Sequence, residues 1–232
     1  MKLTIIVTVF NEKNTILEAI KEARGLNIDK EIIVIDNYSY DGTVEILKGI
    51  KDDSIKIIFQ PQNYGYGQSV KTGLSFAKGE FIYIHYSDLE YGIASVHDML
   101  DLIEKENLDA VFGSRLYNFK KNIHSVFSLV KERPYYLGTL VTTFLINLFY
   151  KRRFTDIIGT KLYRVSSLRK VYFESNGFSF DFEVASKLCK NKFKIKEVPV
   201  SYKPRSSRKG KKVRAKDIIP AIIKIFRVKF FK

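Results

Sequence analysis

The chain of 232 residues has no tryptophan, two methionines, five prolines and one cysteine. A single cysteine, Cys189, excludes an internal disulfide and suits a reducing compartment. It lies in the helical pattern Phe182–Cys189 and reads as a small buried hydrophobe. Long apolar runs are also missing. The longest uncharged stretch, Tyr135–Tyr150, has 16 residues, short of the roughly 20 that span a bilayer. It carries Gly138, Thr139, Thr142, Thr143 and Asn147, so an embedded or membrane-surface helix fits better than a span. Met1-Lys2 runs directly into the apolar Leu3–Val9, too short for a signal peptide and readable as a first strand. The first strand–helix turn, Val9–Asn14, has no Gly-x-Gly-x-x-Gly, which argues against a nucleotide-cofactor dehydrogenase. There are no internal repeats and no Pro- or Ser-rich linker.

Acidic residues are scarce at one end. Net charge is +15, and from Lys203 to Lys232 twelve Lys or Arg stand against the single acid Asp217, so +11 of it lies there. Such a tail suits nucleic acid or anionic lipid. No basic–aromatic stacking pattern or nucleic-acid motif accompanies it, which disfavours the first partner. Pro204–Lys212 is too polar to pack alone. Lys216–Lys232 sets Ile218, Ile219, Ile222, Ile223, Ile225, Phe226 and Phe230 against Lys224, Arg227, Lys229 and Lys232. That pattern describes either a helix lying in a membrane interface or a terminal helix docked on the domain, and the two are compatible. The domain boundary is placed at this change of composition, giving 1–202 and a basic tail, 203–232.

What the rest of the chain has is alternation. Apolar strands are expected at Leu3–Val9, Glu31–Asp36, Ile55–Phe59, Phe81–Ile84 and Leu108–Phe112. Helical patterns lie between them, at about Asn14–Arg24, up to Gly49, Gln68–Ala77 and Ile93–Lys105. This order predicts an α/β fold with a mainly parallel central sheet flanked by helices. After Arg115 the alternation stops. An irregular basic loop over 116–133, a helix over 135–150, a loop returning to a strand over 155–164, the helix Phe182–Cys189 and a late strand Ile195–Tyr202 follow.

The stretch Phe81–Tyr91 concentrates the chemistry. A buried strand breaks into Ser87, Asp88 and Glu90, carboxylates just past the end of a central strand, where open α/β sheets bind ligands. Hard oxygens there suit Mg²⁺ or Mn²⁺. On the residues alone, the commoner reading is that Asp88 and Glu90 simply start the next helix.

Several ordered motifs, from Val7 to about Asp217, together resemble family 2 glycosyltransferases of the GT-A fold, and within them the dolichol- or polyprenol-phosphate sugar transferases. Thr8-Val-Phe-Asn-Glu12 resembles the opening strand-end motif, which implies nucleotide-facing roles for Phe10 and Glu12. Val34-Ile-Asp-Asn-Tyr-Ser-Tyr-Asp-Gly-Thr43 resembles the second. It implies that Asp36 hydrogen-bonds the base, with Asn37 standing where a second Asp is usual. Asn63–Gly73 resembles the glycine loop and its helix, which implies that Lys71 faces the phosphates. Residues 86–90 align with Asp-x-Asp-x-(Gln/Glu). Tyr86 occupies the first Asp position, Ser87 faces the nucleotide, and Asp88 and Glu90 keep the metal-ligand positions. Gly113-Ser-Arg115 implies an Arg near the phosphates, and Asp156 with Gly159–Arg164, including Lys161, implies an acceptor-facing loop. Phe180-Asp-Phe-Glu183 resembles a further acidic pair. Glu197–Arg205 followed by Gly210-Lys-Lys212 implies that Arg205 and Lys211 meet a lipid phosphate.

The resemblance thus implies an inverting transferase that moves a sugar from a UDP- or GDP-sugar to a polyprenyl phosphate, with Mg²⁺ or Mn²⁺ as cofactor. Asp88, Asp156 and Arg115 are its expected catalytic residues. The absence of a spanning helix suggests a peripheral protein on the cytoplasmic face of a membrane, and the resemblance implies glycan or cell-surface polysaccharide biosynthesis. The departures at Tyr86 and Asn37 leave open a non-catalytic nucleotide-sugar binder, and a same-fold transferase with another acceptor remains a second alternative.

Overall fold

The computed structural model describes residues 1–118, 131, 136–205 and 218–231. Its strands are β1 (Leu3–Val9), β2 (Lys30–Asp36), β3 (Ile55–Phe59), β4 (Phe81–Tyr86), β5 (Ala110–Ser114), β6 (Lys161–Arg164) and β7 (Ile195–Pro199). They form one sheet in the order β3-β2-β1-β4-β6-β5-β7. Every pairing is parallel except the two that β6 makes with β4 and β5. The mainly parallel α/β architecture expected from the alternation is therefore present. The runs Ile5-Ile6-Val7 and Ile32–Ile35 are buried throughout, because helices cover both faces of a parallel sheet.

The helices are α1 (Ile16–Gly25), α2 (Thr43–Lys48), α3 (Tyr66–Phe76), α4 (Ser95–Lys105), α5 (Tyr136–Tyr150), α6 (Val165–Leu168), α7 (Phe180–Lys190) and α8 (Ile218–Phe230). On one face Ile16, Ile20 and Ala23 of α1, Leu47 of α2 and Val96, Met99 and Ile103 of α4 pack against Leu3, Ile5 and Val7. On the other, Val70 of α3, Ile146 of α5, Phe180 and Val184 of α7 and Ile225 of α8 pack against Ile6, Ile33 and Ile84. Cys189 is buried among them.

Three details differ from the sequence reading. Strand β4 runs on through His85 and Tyr86, whose polar character hid a continuing ladder with Val7 and Thr8. The four-residue helix α6 is too short to leave a periodic signal. The late strand leaves the sheet at Pro199, and Tyr202 instead bridges Tyr91. The basic loop over 116–133 falls almost entirely outside the described residues, as do 206–217, including Lys211.

Helix α8 docks through Ala221, Ile225 and Val228, while Ile219, Ile223, Phe226 and Phe230 are exposed. Lys190 Nζ donates to the carbonyls of Val228 and Phe231 at 2.6 and 3.0 Å, a favourable place for a cation at a helix C-terminus. Helix α5 exposes Leu137, Val141, Phe144 and Leu148. Phe149 meets Phe226 and Phe230 edge-on at 5.0 and 5.6 Å, which joins the two helices. No helix among the described residues is long and apolar enough to cross a membrane.

One core residue makes stability depend on pH. His85 is fully buried, with Nε2 3.5 Å from Glu22 Oε2 of α1, beyond good hydrogen-bonding range. Burial, only partly opposed by the Ala19 backbone, pushes its pKa down to about 4 from 6.5. The unfolded chain therefore binds a proton more readily between these values, so the contribution is complete above pH 6.5 and disappears as pH falls through 4. It amounts to at most about 3 kcal/mol. Urea unfolding between pH 7 and 4 should show this slope in the wild type and lose it in His85→Leu. Equal slopes in the two proteins would exclude His85 as its source.

Candidate active site

The sheet order sets the site. From β1 the chain moves outward through β2 and β3, then returns to place β4 on the other side of β1. The carboxyl ends of β1 and β4 therefore flank the point where the strand order reverses, the usual ligand crevice of open α/β sheets. Thr8 pairs with Tyr86 and Val9 with Asp36, so the segments that follow β1, β2 and β4 emerge side by side. Because β6 is antiparallel, the loop before it reaches the same edge, with Ile84 opposite Lys161. The chain leaving β7 crosses to this edge as well.

The segment after β1 is held by bonds to the loop and helix that follow β2. The Asn11 N–H donates to Ser39 Oγ at 2.8 Å and the Glu12 N–H to Thr43 Oγ1 at 3.0 Å. The Phe10 ring meets Tyr40 edge-on at 5.9 Å. Asp36 closes β2 with 1% exposure. Its Oδ2 accepts the Ser39 N–H at 3.0 Å, while Oδ1 is buried without a hydrogen-bond partner among the described residues. A buried acceptor of this kind suits a ring N–H donor.

Asn37 shows why an amide stands beside it. Its Nδ2 donates to Asn63 Oδ1 at 3.0 Å, and its Oδ1 accepts the Tyr64 N–H at 2.9 Å. An ionised carboxylate supplies only the acceptor half. The glycine loop is thus tied to β2 by both ends of one amide. Gly65, at φ +91°, turns the chain into α3, and a Cβ there would lie 2.6 Å from the Asn176 carbonyl oxygen.

After β4, Ser87 Oγ donates to the Thr8 carbonyl at 2.8 Å, locking β4 to β1. Asp88 Oδ1 accepts the Glu90 N–H at 3.0 Å across Leu89, which has φ 58°. Glu90 accepts the Tyr202 hydroxyl at 2.7 Å and the Arg205 N–H at 2.9 Å. The Arg205 guanidinium then grips Glu12 with two bonds of 2.8 Å, and its nitrogens lie 3.6 Å from Asp88 Oδ2 and 3.9 Å from Glu90 Oε1. Burial, then the charges of Glu90 and Glu12, raise the Asp88 carboxyl to about 6 against the pull of the Glu90 N–H and Arg205. Glu12, Asp88, Glu90 and Arg205, all singled out in the sequence, are brought together here.

A second charged pair lies beside them. Arg115 Nε and Nη2 donate to the two oxygens of Asp156 at 2.6 and 3.0 Å, and the Arg115 N–H adds 3.1 Å. Both side chains are buried. Burial pushes the Asp156 carboxyl up, but Arg115 and these hydrogen bonds hold it below the usual range. The guanidinium sits over the rings of Tyr136 and Tyr202 at 5.3 and 5.1 Å and donates to Thr139 at 3.2 Å. Gly159 makes this possible, since a Cβ there would stand 1.7 Å from the Gly113 carbonyl oxygen.

Two expected phosphate-facing lysines lie elsewhere. Lys71 Nζ is 2.6 Å from Asn176 Oδ1 and 3.4 Å from the Phe173 carbonyl, directed at the loop before α7. Lys161 is 1% exposed. Its ammonium lies 2.8 Å from the Gly159 carbonyl and 3.5 Å from Asp181, inside the core rather than on an open face. Tyr86 joins that buried group. Its hydroxyl lies 3.1 Å from that of Tyr66, which donates to Asp181 at 3.3 Å. Sequence reasoning also passed over Tyr202 as a partner of Glu90, and over Glu197, whose carboxylate accepts the N–H groups of Thr155 and Asp156 at 2.9 Å. The closing segment Glu197–Arg205 was the signal available for both.

The donor set accepts a divalent ion only in a limited way. Among the described residues no three carboxylate, His or Cys groups are arranged to hold one. Tyr86 is turned to Tyr66, and Glu12 and Glu90 are engaged by Arg205 and Tyr202. Asp88 Oδ2 is the carboxylate oxygen left to coordinate. One carboxylate completed by substrate phosphate oxygens is a recognised Mg²⁺ arrangement, so Asp88 fits such an ion once the guanidinium yields.

Comparison with known proteins bears on the fold and the family. An uncharacterized protein of Methanocaldococcus jannaschii is 27% identical over 206 residues, covering 84% of this chain and 86% of its own. The low-salt glycan biosynthesis hexosyltransferase Agl6 of Haloferax volcanii is 23% identical over 207 residues, covering 88% of this chain. This chain spans only 48% of that relative's length. Glucosyl-3-phosphoglycerate synthase of Mycobacterium tuberculosis, solved with Mn²⁺, UDP and phosphoglyceric acid, superposes with a TM-score of 0.67 at 15% identity, covering 100% of this chain and 79% of its own. That likeness establishes the GT-A fold. The model of the family described as glycosyl transferase family 2 matches residues 4–172, and the chain belongs to that family.

Proposed function

We propose that this protein is an inverting glycosyltransferase that moves a sugar from a nucleotide-sugar donor to a polyprenyl phosphate at a membrane surface. Membership of family 2 supports the nucleotide-sugar transferase part. The observation that carries the reading is the crevice at the β1/β4 switch point. There Asp36 Oδ1, unpartnered among the described residues, and the Glu12–Asp88–Glu90 cluster lie at one edge of the sheet.

In this reading Asp36 accepts from the donor base, and Phe10, Ser87 and the Asn37-held loop shape the nucleotide pocket. Asp88 would hold a Mg²⁺ or Mn²⁺ ion, whose charge would offset that of the leaving nucleoside diphosphate. A phosphate oxygen of the acceptor forms the new bond to the anomeric carbon as the bond to the diphosphate breaks, inverting that carbon. The acceptor phosphate is already anionic at neutral pH, so no general base is required. What the protein supplies is alignment of two anions. Arg205, and Lys211 beyond the described residues, are the clamps for them. Arg115, its charge matched by Asp156, braces this edge by packing on the Tyr202 ring.

The exposed faces of α5 and α8 support a membrane acceptor. Leu137, Val141, Phe144 and Leu148 line one helix, and Ile219, Ile223, Phe226 and Phe230 the other, each set at helical spacing. Lys151, Arg153 and Arg227 are exposed nearby, as expected of a surface that meets anionic lipid. The first turn of α5 carries Tyr136 and Thr139, the contacts of Arg115, so the apolar face begins beside the site. A cytoplasmic face suits the lone free cysteine.

A second reading, a nucleotide-sugar binder without turnover, rests on Tyr86, whose hydroxyl is turned away into the Tyr66–Asp181 group. A donor screen separates the two. UDP-, GDP- and CDP-sugars are each incubated with Mg²⁺ or Mn²⁺ and polyprenyl phosphate in detergent, with a soluble phosphorylated acceptor as the other arm. Nucleoside diphosphate released only with metal and lipid phosphate together is the expected result. Release with the soluble acceptor alone would replace the membrane reading, and donor binding without release would favour the second.

A further inference from the structure

The carboxylate cluster already contains a cation. Arg205 makes two 2.8 Å bonds to Glu12 and approaches Asp88 and Glu90 at 3.6 and 3.9 Å, so one guanidinium serves three acids. We propose that Arg205 is the exchangeable cation of this site: it holds the acids together in the free protein, and it gives up Asp88 to a divalent ion as its guanidinium turns to the phosphates of an entering nucleoside diphosphate. The inference rests on the reading of the crevice as a nucleotide-sugar site and adds how that site is loaded.

Three observations carry it. The first is the balance of charge. Three carboxylates against one guanidinium leave two negative charges uncompensated within the cluster, which favours a second, divalent cation over a permanent pairing. The second is an asymmetry among the contacts. Glu12 is held by the paired 2.8 Å bonds and by Thr15 Oγ1 at 3.0 Å, and Glu90 by Tyr202 and the Arg205 N–H. Asp88 Oδ2 lies 3.6 Å from the guanidinium, beyond hydrogen-bonding range, and its side chain is the most exposed of the three acids. An incoming ion therefore meets Asp88 first.

The third is a donor left over. Arg205 Nε is buried and makes no hydrogen bond among the described residues. An unsatisfied charged donor in a crevice is costly, and an anionic phosphate oxygen would satisfy it. The backbone of Arg205 is meanwhile pinned by its N–H on Glu90, next to Tyr202, which bridges Tyr91. Exchange then needs only rotation of a long side chain about a fixed Cα.

The consequence is coupling. If the ion and the guanidinium compete for Asp88, the ion binds weakly alone and tightly with the diphosphate, and by linkage each promotes the other to the same extent. Mn²⁺ titrations of the full chain followed by electron paramagnetic resonance, with and without UDP or GDP, test this directly. Arg205→Gln should bind Mn²⁺ alone about tenfold more tightly than wild type, a change of about 1.4 kcal/mol, and should lose most of the enhancement that the nucleotide confers. Equal Mn²⁺ affinity in the two proteins would overturn the proposal. A measurement on the wild type guards against a variant that folds poorly. The side-chain ¹⁵Nε–Hε resonance of Arg205 should shift on addition of Mg²⁺ with UDP or GDP, and its staying in place at saturation would also overturn the exchange. Transfer that proceeds without any such competition would remove the exchange and leave the transferase. Competition without transfer would do the reverse.

Discussion

Replacing Asp156 with alanine should destabilise the protein by about 3–5 kcal/mol, the usual result of leaving one member of a buried ion pair unpaired. The Arg115 side chain is 6% exposed and that of Asp156 0%, so water cannot take the place of the lost carboxylate. Three hydrogen bonds from Arg115 and one from the Ile158 N–H at 2.9 Å end on its two oxygens. The loss is therefore structural as well as electrostatic. The loop it anchors stands against β5 through Gly159, and the rings of Tyr136 and Tyr202 rest against the same guanidinium. Urea unfolding reads the effect. In a chain of this size it corresponds to a fall in Tm of roughly 10 °C. Asp156→Asn keeps part of the hydrogen bonding and should fall between. A loss below about 1 kcal/mol in Asp156→Ala would mean that the pair is solvated.

Asp88→Asn should behave in the opposite way, losing activity while keeping stability. Its Oδ1 caps its own turn by accepting the Glu90 N–H, and an asparagine oxygen retains that bond. What the amide lacks is the charge to hold a divalent ion at Oδ2. Release of nucleoside diphosphate should fall by about 10²–10³-fold, the scale of losing one preorganised electrostatic contact. Thermal unfolding should change by no more than a few degrees. Because a carboxylate raised to about 6 by burial and by Glu90 and Glu12 becomes neutral in the variant, a small gain in stability is also consistent. Full release from Asp88→Asn would remove Asp88 from the mechanism and shift attention to Glu12.

These two residues had different visibility in the sequence. Asp88 follows an apolar strand within five residues of a second acid, and both the local pattern and the spacing of Tyr86, Asp88 and Glu90 mark it. The positions of Asp36 and Glu12 were legible for the same reason, since the first ends and the second closely follows a strand whose apolar run is unmistakable. Asp156 stood in a loop with no periodicity, and only the resemblance drew attention to it. Its pairing with Arg115 depends on an antiparallel strand inserted between β4 and β5, an arrangement that alternation of strands and helices does not foretell.

The lysines show the limit most clearly. Lys71 and Lys161 sit in motif-like stretches, and a long cationic side chain near glycines invites a phosphate role. Folded, one turns to Asn176, 105 residues away, and the other to Asp181. Tyr86 likewise finds Tyr66 and Asp181, which accounts for an aromatic residue at a position where an acid would place like charge beside Asp181 in the core.

The sequence by itself determined the α/β class, the mainly parallel sheet and the strand-end placement of Glu12, Asp36, Asp88 and Glu90. Those features are written in hydrophobic runs and short spacings, which act through neighbouring residues. The tertiary structure alone decided which charges meet. Arg205 reaches Glu12 across 193 residues and Glu90 across 115, and that meeting follows from where β7 releases the chain at the sheet edge. Long charged side chains select partners by burial and geometry at the end of folding, and local sequence carries no record of that choice.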